Sequence, residues 1–301
     1  MEHLRWQLSP DAVTNPIMIT AFTGWNDAGE AASTAATSFF SSTPTSLLAD
    51  IDPEPFTDFA TVRPRVHLTD DRRREIVWPT VKIWAVATPT ADLVVVIGPE
   101  PALRWRLFST QITALVDHLG ITQAYNLGAF LGDVVHTRAT PIFSTTDDPA
   151  LLEHHRLRPT DYEGPTGIVG VVHDALTQHG CTTVSLWAAV PRYASHLMSP
   201  HASIALIERL SSIASITPPT SNLHLHLGTY DAQLAELAAA NPDLASYIDH
   251  LEHAHDLSAT DSSDEGGSMM PSSALDADQL AAEVEQFLRD RTDDDPLDDA
   301  S

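Results

Sequence analysis

The residues best placed to do chemistry lie in Phe22-Thr23-Gly24-Trp25-Asn26-Asp27-Ala28-Gly29-Glu30-Ala31-Ala32. An apolar run, Pro16 to Ala21, precedes this segment and reads as a buried strand. An Ala- and Ser-rich run, Ala31 to Phe40, follows it and reads as a helix. The segment is therefore the turn after the first core strand, and such turns line the ligand crevice of α/β sheets. Gly24, Trp25, Asn26 and Asp27 offer an aromatic face, an amide and a carboxylate there. Asp27 can equally serve as a helix cap, its carboxylate accepting orphan amide hydrogens.

Other polar side chains follow other strands. Glu100, Arg104 and Trp105 come after Leu93–Ile97, and His136 and Arg138 after Gln123–Leu127 by a longer loop. Arg192 and Tyr193 come after Thr183–Ala188. If these strands are parallel, all the turns share one carboxyl edge. Arg and Trp are also favoured in protein interfaces, so the set fits a small-anion pocket and a protein-binding rim alike. An ion pair between Glu100 and Arg104, one helical turn apart, is a purely structural use of the same residues.

Several chemistries are excluded. Lys82 is the only lysine, which removes Schiff-base, pyridoxal phosphate and lysine-clamped nucleotide mechanisms. It stands in Val81-Lys82-Ile83-Trp84, an alternating run that turns it to solvent. Gly164 to Gly170 precedes a helix, but it lacks the Gly-Lys-Ser/Thr ending of a phosphate loop and the dinucleotide glycine spacing. It reads as a turn for close packing, or as a backbone-amide anion site. Gly128 and Gly132 invite the same two readings. The fifteen histidines include His224 and His226, expected on one side of a strand, and His250 and His253, one helical turn apart. None forms a His-Glu-x-x-His frame, and no metal is expected. Ser185 lies in an apolar strand and reads as a satisfied buried hydroxyl, and Cys181 as an inert thiol. No catalytic residue and no cofactor are expected.

The chain has 301 residues, 43% of them hydrophobic, enough for a sizeable core. Acidic residues number 41 against 16 basic ones, a net charge of -25 that argues against nucleic acid and anionic membranes as partners. A lone cysteine forms no intrachain disulfide, and no leader or membrane-spanning run is visible. A cytoplasmic location is expected.

The elements that must position these residues alternate. Strands are expected at Ile17–Phe22, Leu47–Ile51, Val81–Ala87, Leu93–Ile97, Gln123–Leu127, Pro141–Ser144 and Thr183–Ala188. Helices are expected at Ala28–Phe40, Arg104–Leu119, Pro149–Arg156, Gly167–His179 and His201–Ile213. This alternation argues for an α/β sheet covered on both faces. Residues 1–228 form this core, and Arg63–Trp78 reads as an exposed hairpin or loop. Residues 229–257 form a helical segment, split where Asn241 caps and Pro242 starts the second helix. Residues 258–274, rich in Ser, Asp and Gly, read as a flexible linker. A helix over 275–291 carries the stripe Leu280, Val284, Phe287 and Leu288, which needs a partner surface. Residues 292–301 form an acidic, disordered tail.

Six further segments join the Gly24–Gly29 motif in order: Gly98-Pro99-Glu100-Pro101 with Arg104-Trp105, Leu127-Gly128-Ala129, His136-Thr137-Arg138, Tyr162 to Ile168, and Ser185 to Pro191. Together they resemble the actinobacterial branch of the proteasome assembly chaperone type 2 family over about residues 1–290. The resemblance implies a three-layer α/β/α sandwich with a mixed central sheet, similar to phosphorylases and nucleosidases, plus the helical appendage. It implies a non-enzymatic assembly or interaction protein with a proteasome-related partner, and a homo-oligomer, a trimer before a dimer. Family members have also been described as ATP-grasp-like, a chemistry that one lysine cannot support. The alternative is a nucleoside- or anion-type ligand in the crevice near Trp25 and Asn26. The tail departs from the hydrophobic-tyrosine ending of some relatives, closing on Asp298-Asp299-Ala300-Ser301.

Overall fold

A computed structural model describes residues 2–40, 44–88, 91–157 and 162–261. In chain order the strands and helices are β1 (Leu4–Trp6), β2 (Ile17–Thr23), α1 (Ala31–Ser38), β3 (Thr45–Ile51), β4 (Arg65–Leu68), β5 (Arg74–Val77), β6 (Val81–Val86), β7 (Leu93–Pro99), α2 (Trp105–Leu119), β8 (Gln123–Gly132), β9 (Ile142–Thr145), α3 (Pro149–His154), α4 (Ile168–Gln178), β10 (Thr182–Pro191), α5 (Pro200–Ala214), α6 (Ser221–Ala240) and α7 (Pro242–Asp261). Among the described residues, 162–165 stand apart from the rest as a second unit. Within it the Tyr162 hydroxyl donates to the Pro165 carbonyl at 3.0 Å.

Eight strands form one mixed sheet in the order β1-β3-β6-β7-β2-β8-β10-β9. Strands β7, β2, β8 and β10 are mutually parallel, and β9, β6, β3 and β1 run antiparallel to their neighbours. Period-2 alternation divides each central strand between two cores. Ile19 and Ala21 face α1 and α5, while Met18 and Phe22 face α2 and α4. Phe22 is fully buried and meets the Phe108 ring of α2 edge-on at 5.7 Å. Each side chain buried this way is worth about 1.5–3 kcal/mol. Helix α2 places Phe108, Ile112, Leu115 and Leu119 on one face and stops at Gly120 in the left-handed region, whose N–H closes on the Val116 carbonyl.

A polar thread crosses the α2/α4 core. Thr20 Oγ1 donates to Asn126 Oδ1 (2.7 Å), and Asn126 Nδ2 donates to Ser185 Oγ (3.3 Å). Ser185 Oγ bonds His173 Nδ1 (2.8 Å), all four residues being buried. The expected satisfied hydroxyl at Ser185 is observed. Burial also lowers the pKa of His173 from 6.5. The folded state therefore takes up its proton at lower pH than the unfolded chain does. Its contribution to stability is complete above about pH 6.5 and shrinks as the pH falls below it. Urea melts on acidification should show this loss, and His173→Leu should flatten the slope. An unchanged slope would remove His173 from the account.

Several elements differ from the sequence expectation. β8 and β10 run past Leu127 and Ala188, through Gly132 and Pro191, because Gly128 is a packing position rather than a stop. A Cβ at Gly128 would lie 2.5 Å from the Trp187 ring of β10. His224 and His226 sit on helix α6, two residues apart and therefore on different faces, not on one side of a strand. Helix α6 starts at Ser221, ahead of the expected helical segment, and α7 reaches Asp261, into the stretch expected as a linker from Ser258. Asn241 Oδ1 accepts from the Asp243 and Leu244 amides, and Pro242 opens α7. Lys82 is exposed on β6. Residues 262–301, including Leu280, Val284, Phe287 and Leu288, lie outside the described residues.

Candidate functional site

The four parallel strands put their following turns on one edge. The 24–30 turn follows β2, the 100–104 turn follows adjacent β7, and 133–141 and 192–199 follow β8 and β10. At the β2 turn, Asn26 is fully buried and its Nδ2 donates to Glu100 Oε1 at 2.7 Å. The same Oε1 accepts the Ile168 amide, the first of α4, at 2.9 Å. Glu100 thus supplies the negative charge that the α4 N-terminus favours. The backbone-amide anion site considered for Gly164 to Gly170 is occupied, at Ile168, by the protein's own carboxylate. Glu100 makes no ion pair with Arg104, because Arg104 sits in the left-handed region before α2 rather than on its face. Its own amide is fixed by the Thr23 carbonyl at 3.0 Å.

Asp27 does the capping work. Its Oδ1 accepts from the Ala32 and Ser33 amides at 2.8 and 3.1 Å, and burial raises its pKa above 3.8. The turn's backbone is stitched to β8 by the Ala129 amide on the Asn26 carbonyl, 2.8 Å. Gly24 and Gly29 take positive φ of 116° and 58°, which lets the chain fold back twice in six residues. Asn26 and Asp27 are buried, Asn26 Oδ1 without a hydrogen-bond partner, whereas Trp25 is 67% exposed and Glu30 is exposed. Leu103, 49% exposed, and exposed Arg104 extend from the neighbouring β7 turn. Trp105 is half-buried, its Nε1 donating to the Pro101 carbonyl.

Arg138 belongs elsewhere. Its Nε and Nη2 grip Asp256 of α7, each at 2.9 Å, with Glu252 3.7 Å away. This fork lowers the Asp256 pKa to about 2. Beside it, Tyr193 OH receives the His136 amide at 3.0 Å and lies 2.7 Å from His136 Nδ1. Tyr247 OH donates to Asp133 at 2.9 Å. These contacts, with Val135, Ile248 and Leu251 packed between them, tie α7 over the β8 end of the edge. The structure joins Gly24, Asn26, Asp27 and Glu100, presents Trp25 and Arg104, and commits Arg138 to α7. Gly167, within the Gly164 to Gly170 run that reads as a turn for close packing, is such a position: a Cβ there would lie 2.1 Å from Asn26 Oδ1, a partner that nothing in local spacing identifies. Cys181 is buried and its thiol is pushed up to about 11, in keeping with an inert group. Among the described residues no group of metal-binding side chains occurs, and no helix is long and apolar enough to cross a membrane.

The family model of the PAC2 family matches residues 21–238, a span that holds both turns. The chain belongs to the PAC2 family. Among solved PAC2 relatives, a Streptomyces avermitilis PAC2 family protein is 38% identical, with a TM-score of 0.71 over 77% of this chain and 99% of its own. A Mycobacterium tuberculosis proteasome-assembly chaperone homologue is 35% identical, with a TM-score of 0.70 over 77% and 99%. The Pyrococcus furiosus archaeal proteasome activator PbaB, 14% identical, shares the fold at a TM-score of 0.64 over 79% and 99%. A search of curated proteins gives no match. The mixed sheet and flanking helices are those of the PAC2 relatives.

Proposed function

We propose that this PAC2 protein is a non-enzymatic, cytosolic assembly chaperone that engages a proteasome-related protein through the surface of Trp25, Leu103 and Arg104. One observation carries the reading: a turn whose Asn26 and Asp27 side chains are buried holds a tryptophan 67% exposed. A rigid aromatic beside an arginine is the composition of an interface hot spot. Similarity to the proteasome-assembly chaperone homologue supplies the partner class. The alternative of a nucleoside- or anion-type ligand has less support, since Asn26 Nδ2, Glu100 and the Ile168 amide already satisfy one another. Affinity capture from the native host, with mass spectrometry, tests the reading. Capture of no proteasome-related protein would sink it.

We also propose that the protein is a homo-oligomer, with the trimer preference resting on family resemblance. The β4–β5 hairpin pairs only with itself, and Val66, Leu68 and Ile76 on one face are 50%, 60% and 51% exposed. An isolated hairpin is marginal in water and gains from cover. It also concentrates Arg63, Arg65, Arg72, Arg73 and Arg74 in a strongly acidic chain, so it suits the acidic surface of a second copy. Light scattering should give a multiple of 32.6 kDa, and Val66→Glu with Ile76→Glu should lower it. A wild-type monomer at micromolar concentration contradicts this.

A further inference from the structure

The sheet ends on β9, which pairs with β10 alone among the described residues. The Ala189 amide donates to the Pro141 carbonyl at 3.1 Å, and the register places Trp187 opposite Phe143 and Ser185 opposite Thr145. In an antiparallel ladder, alternate residues turn their backbone groups inward. Pro141, Phe143 and Thr145 therefore face β10, and the N–H and C=O groups of Ile142 and Ser144 face outward. Natural sheets shield such edges with charges, bulges or very short strands. The opposite edge does so: β1 is three residues long, and its Arg5 is paired with Asp50 at 2.6 Å. Strand β9, Ile-Phe-Ser-Thr, is also short, at four residues, but has no charged residue and no bulge.

Beside this edge runs a cleft of about 470 Å³ between the strand and helix α5. Thr140 and Ile142 line one wall, and Ile204, Ala205, Glu208 and Arg209 line the other. An open strand edge beside a cleft of mixed polarity, with Ile142 and Ile204 as its apolar side chains, is a surface to which an extended peptide can add as an extra strand. The charges select among peptides. Arg209 donates to the His155 carbonyl at 3.0 Å and meets no carboxylate among the described residues. The second guanidinium of the cleft, Arg138, is filled by Asp256. Glu208 disfavours acids elsewhere along the helix wall.

We infer that the β9–α5 cleft binds an extended peptide segment of a partner protein by strand addition, with β-branched residues over Ile142 and Ile204 and one carboxylate at Arg209. The Ile142 and Ser144 backbone groups give the main-chain bonds, and Arg209 gives the charge preference. This surface is distinct from the Trp25 turn and stands or falls independently of it.

The test uses the full-length protein and a fluorescein-labelled, acetylated Val-Thr-Val-Thr-Glu peptide, followed by anisotropy. Saturable micromolar binding is expected. Ala205→Trp, which fills the cleft, and Ser144→Pro, which removes an outward donor at an edge position that tolerates proline, should each weaken it at least tenfold without changing the melting temperature. Arg209→Gln should abolish the preference for this peptide over one ending in Lys. Absence of saturable binding, or binding indifferent to both Ala205→Trp and Ser144→Pro, overturns the proposal. A drop in oligomeric mass by light scattering in Ser144→Pro overturns it as well, because the edge would then belong to a second copy of this chain.

Discussion

Gly167→Ala should destabilise the protein by about 2–5 kcal/mol, although it adds a single methyl group. The added carbon would lie 2.1 Å from Asn26 Oδ1 and 2.8 Å from both Cγ and Nδ2. The backbone is not at fault: Gly167 has φ −90°, open to any residue. Asn26 cannot yield, since it is fully buried, its backbone carbonyl holds the Ala129 amide and its Nδ2 holds Glu100. Overpacking of this kind costs about 1–3 kcal/mol. Expelling the amide also breaks its bond to the Glu100 carboxylate, a charge-assisted contact worth about 1.5–3 kcal/mol. The urea midpoint should fall with an unchanged slope. Gly228→Ala is the control, because no atom lies within 4 Å of its added carbon and it sits inside exposed helix α6. It should be neutral or stabilising by up to about 1 kcal/mol. In the double variant Gly167→Ala with Asn26→Ala, the clash is gone, so the losses should fall short of additive. Equal midpoints for Gly167→Ala and wild type would show that the Asn26–Glu100–α4 contact is not the lock described here.

That lock marks the limit of what the sequence discloses. Strand and helix alternation follows from local periodicity, and so the sheet and its two covering layers are readable residue by residue. The Asn241–Pro242 break is equally local, because cap and first-turn proline are neighbours. The hairpin at Arg63–Trp78 is legible from its polarity and its proline boundaries. By contrast, Asn26 meets Glu100 across 74 positions, and both meet α4 only through tertiary packing. The Glu100–Arg104 spacing suggests a helical pair, yet α2 begins at Trp105, after both residues, with Arg104 in the left-handed region ahead of it. Arg138 looks like a member of the crevice set by its position after β8. Its partner, Asp256, stands 118 residues onward on a helix whose docking site no local pattern announces. His224 and His226 misread as a strand pair because two-residue spacing fits period 2, whereas the surrounding Leu223, Tyr230 and Leu234 bury on a helical period. Exposure of Trp25 is the least legible of all, as it depends on Asn26 and Asp27 turning inward.

Trp25→Ala should weaken capture of the protein partner at least tenfold, and removal of Thr292–Ser301 should leave it unchanged. A tenfold loss is about 1.4 kcal/mol, well within what truncating one interface tryptophan costs. Arg104→Ala should act in the same direction, as its exposed guanidinium makes no ion pair among the described residues. Neither variant should alter stability by more than about 0.5 kcal/mol, since both side chains are exposed. This separates loss of contact from loss of fold, and equal melting curves are the control for each. Residues 292–301 contain Asp293, Asp294, Asp295, Asp298 and Asp299, no aromatic residue, and no tyrosine follows Tyr247. Five like charges in ten residues favour solvation over insertion into a pocket. The proposed contact is with the folded surface, where the carboxyl edge of the sheet offers Trp25, 67% exposed. Capture abolished by the truncation, with Trp25→Ala and Arg104→Ala both normal, would move the functional surface from the β2 and β7 turns to the tail.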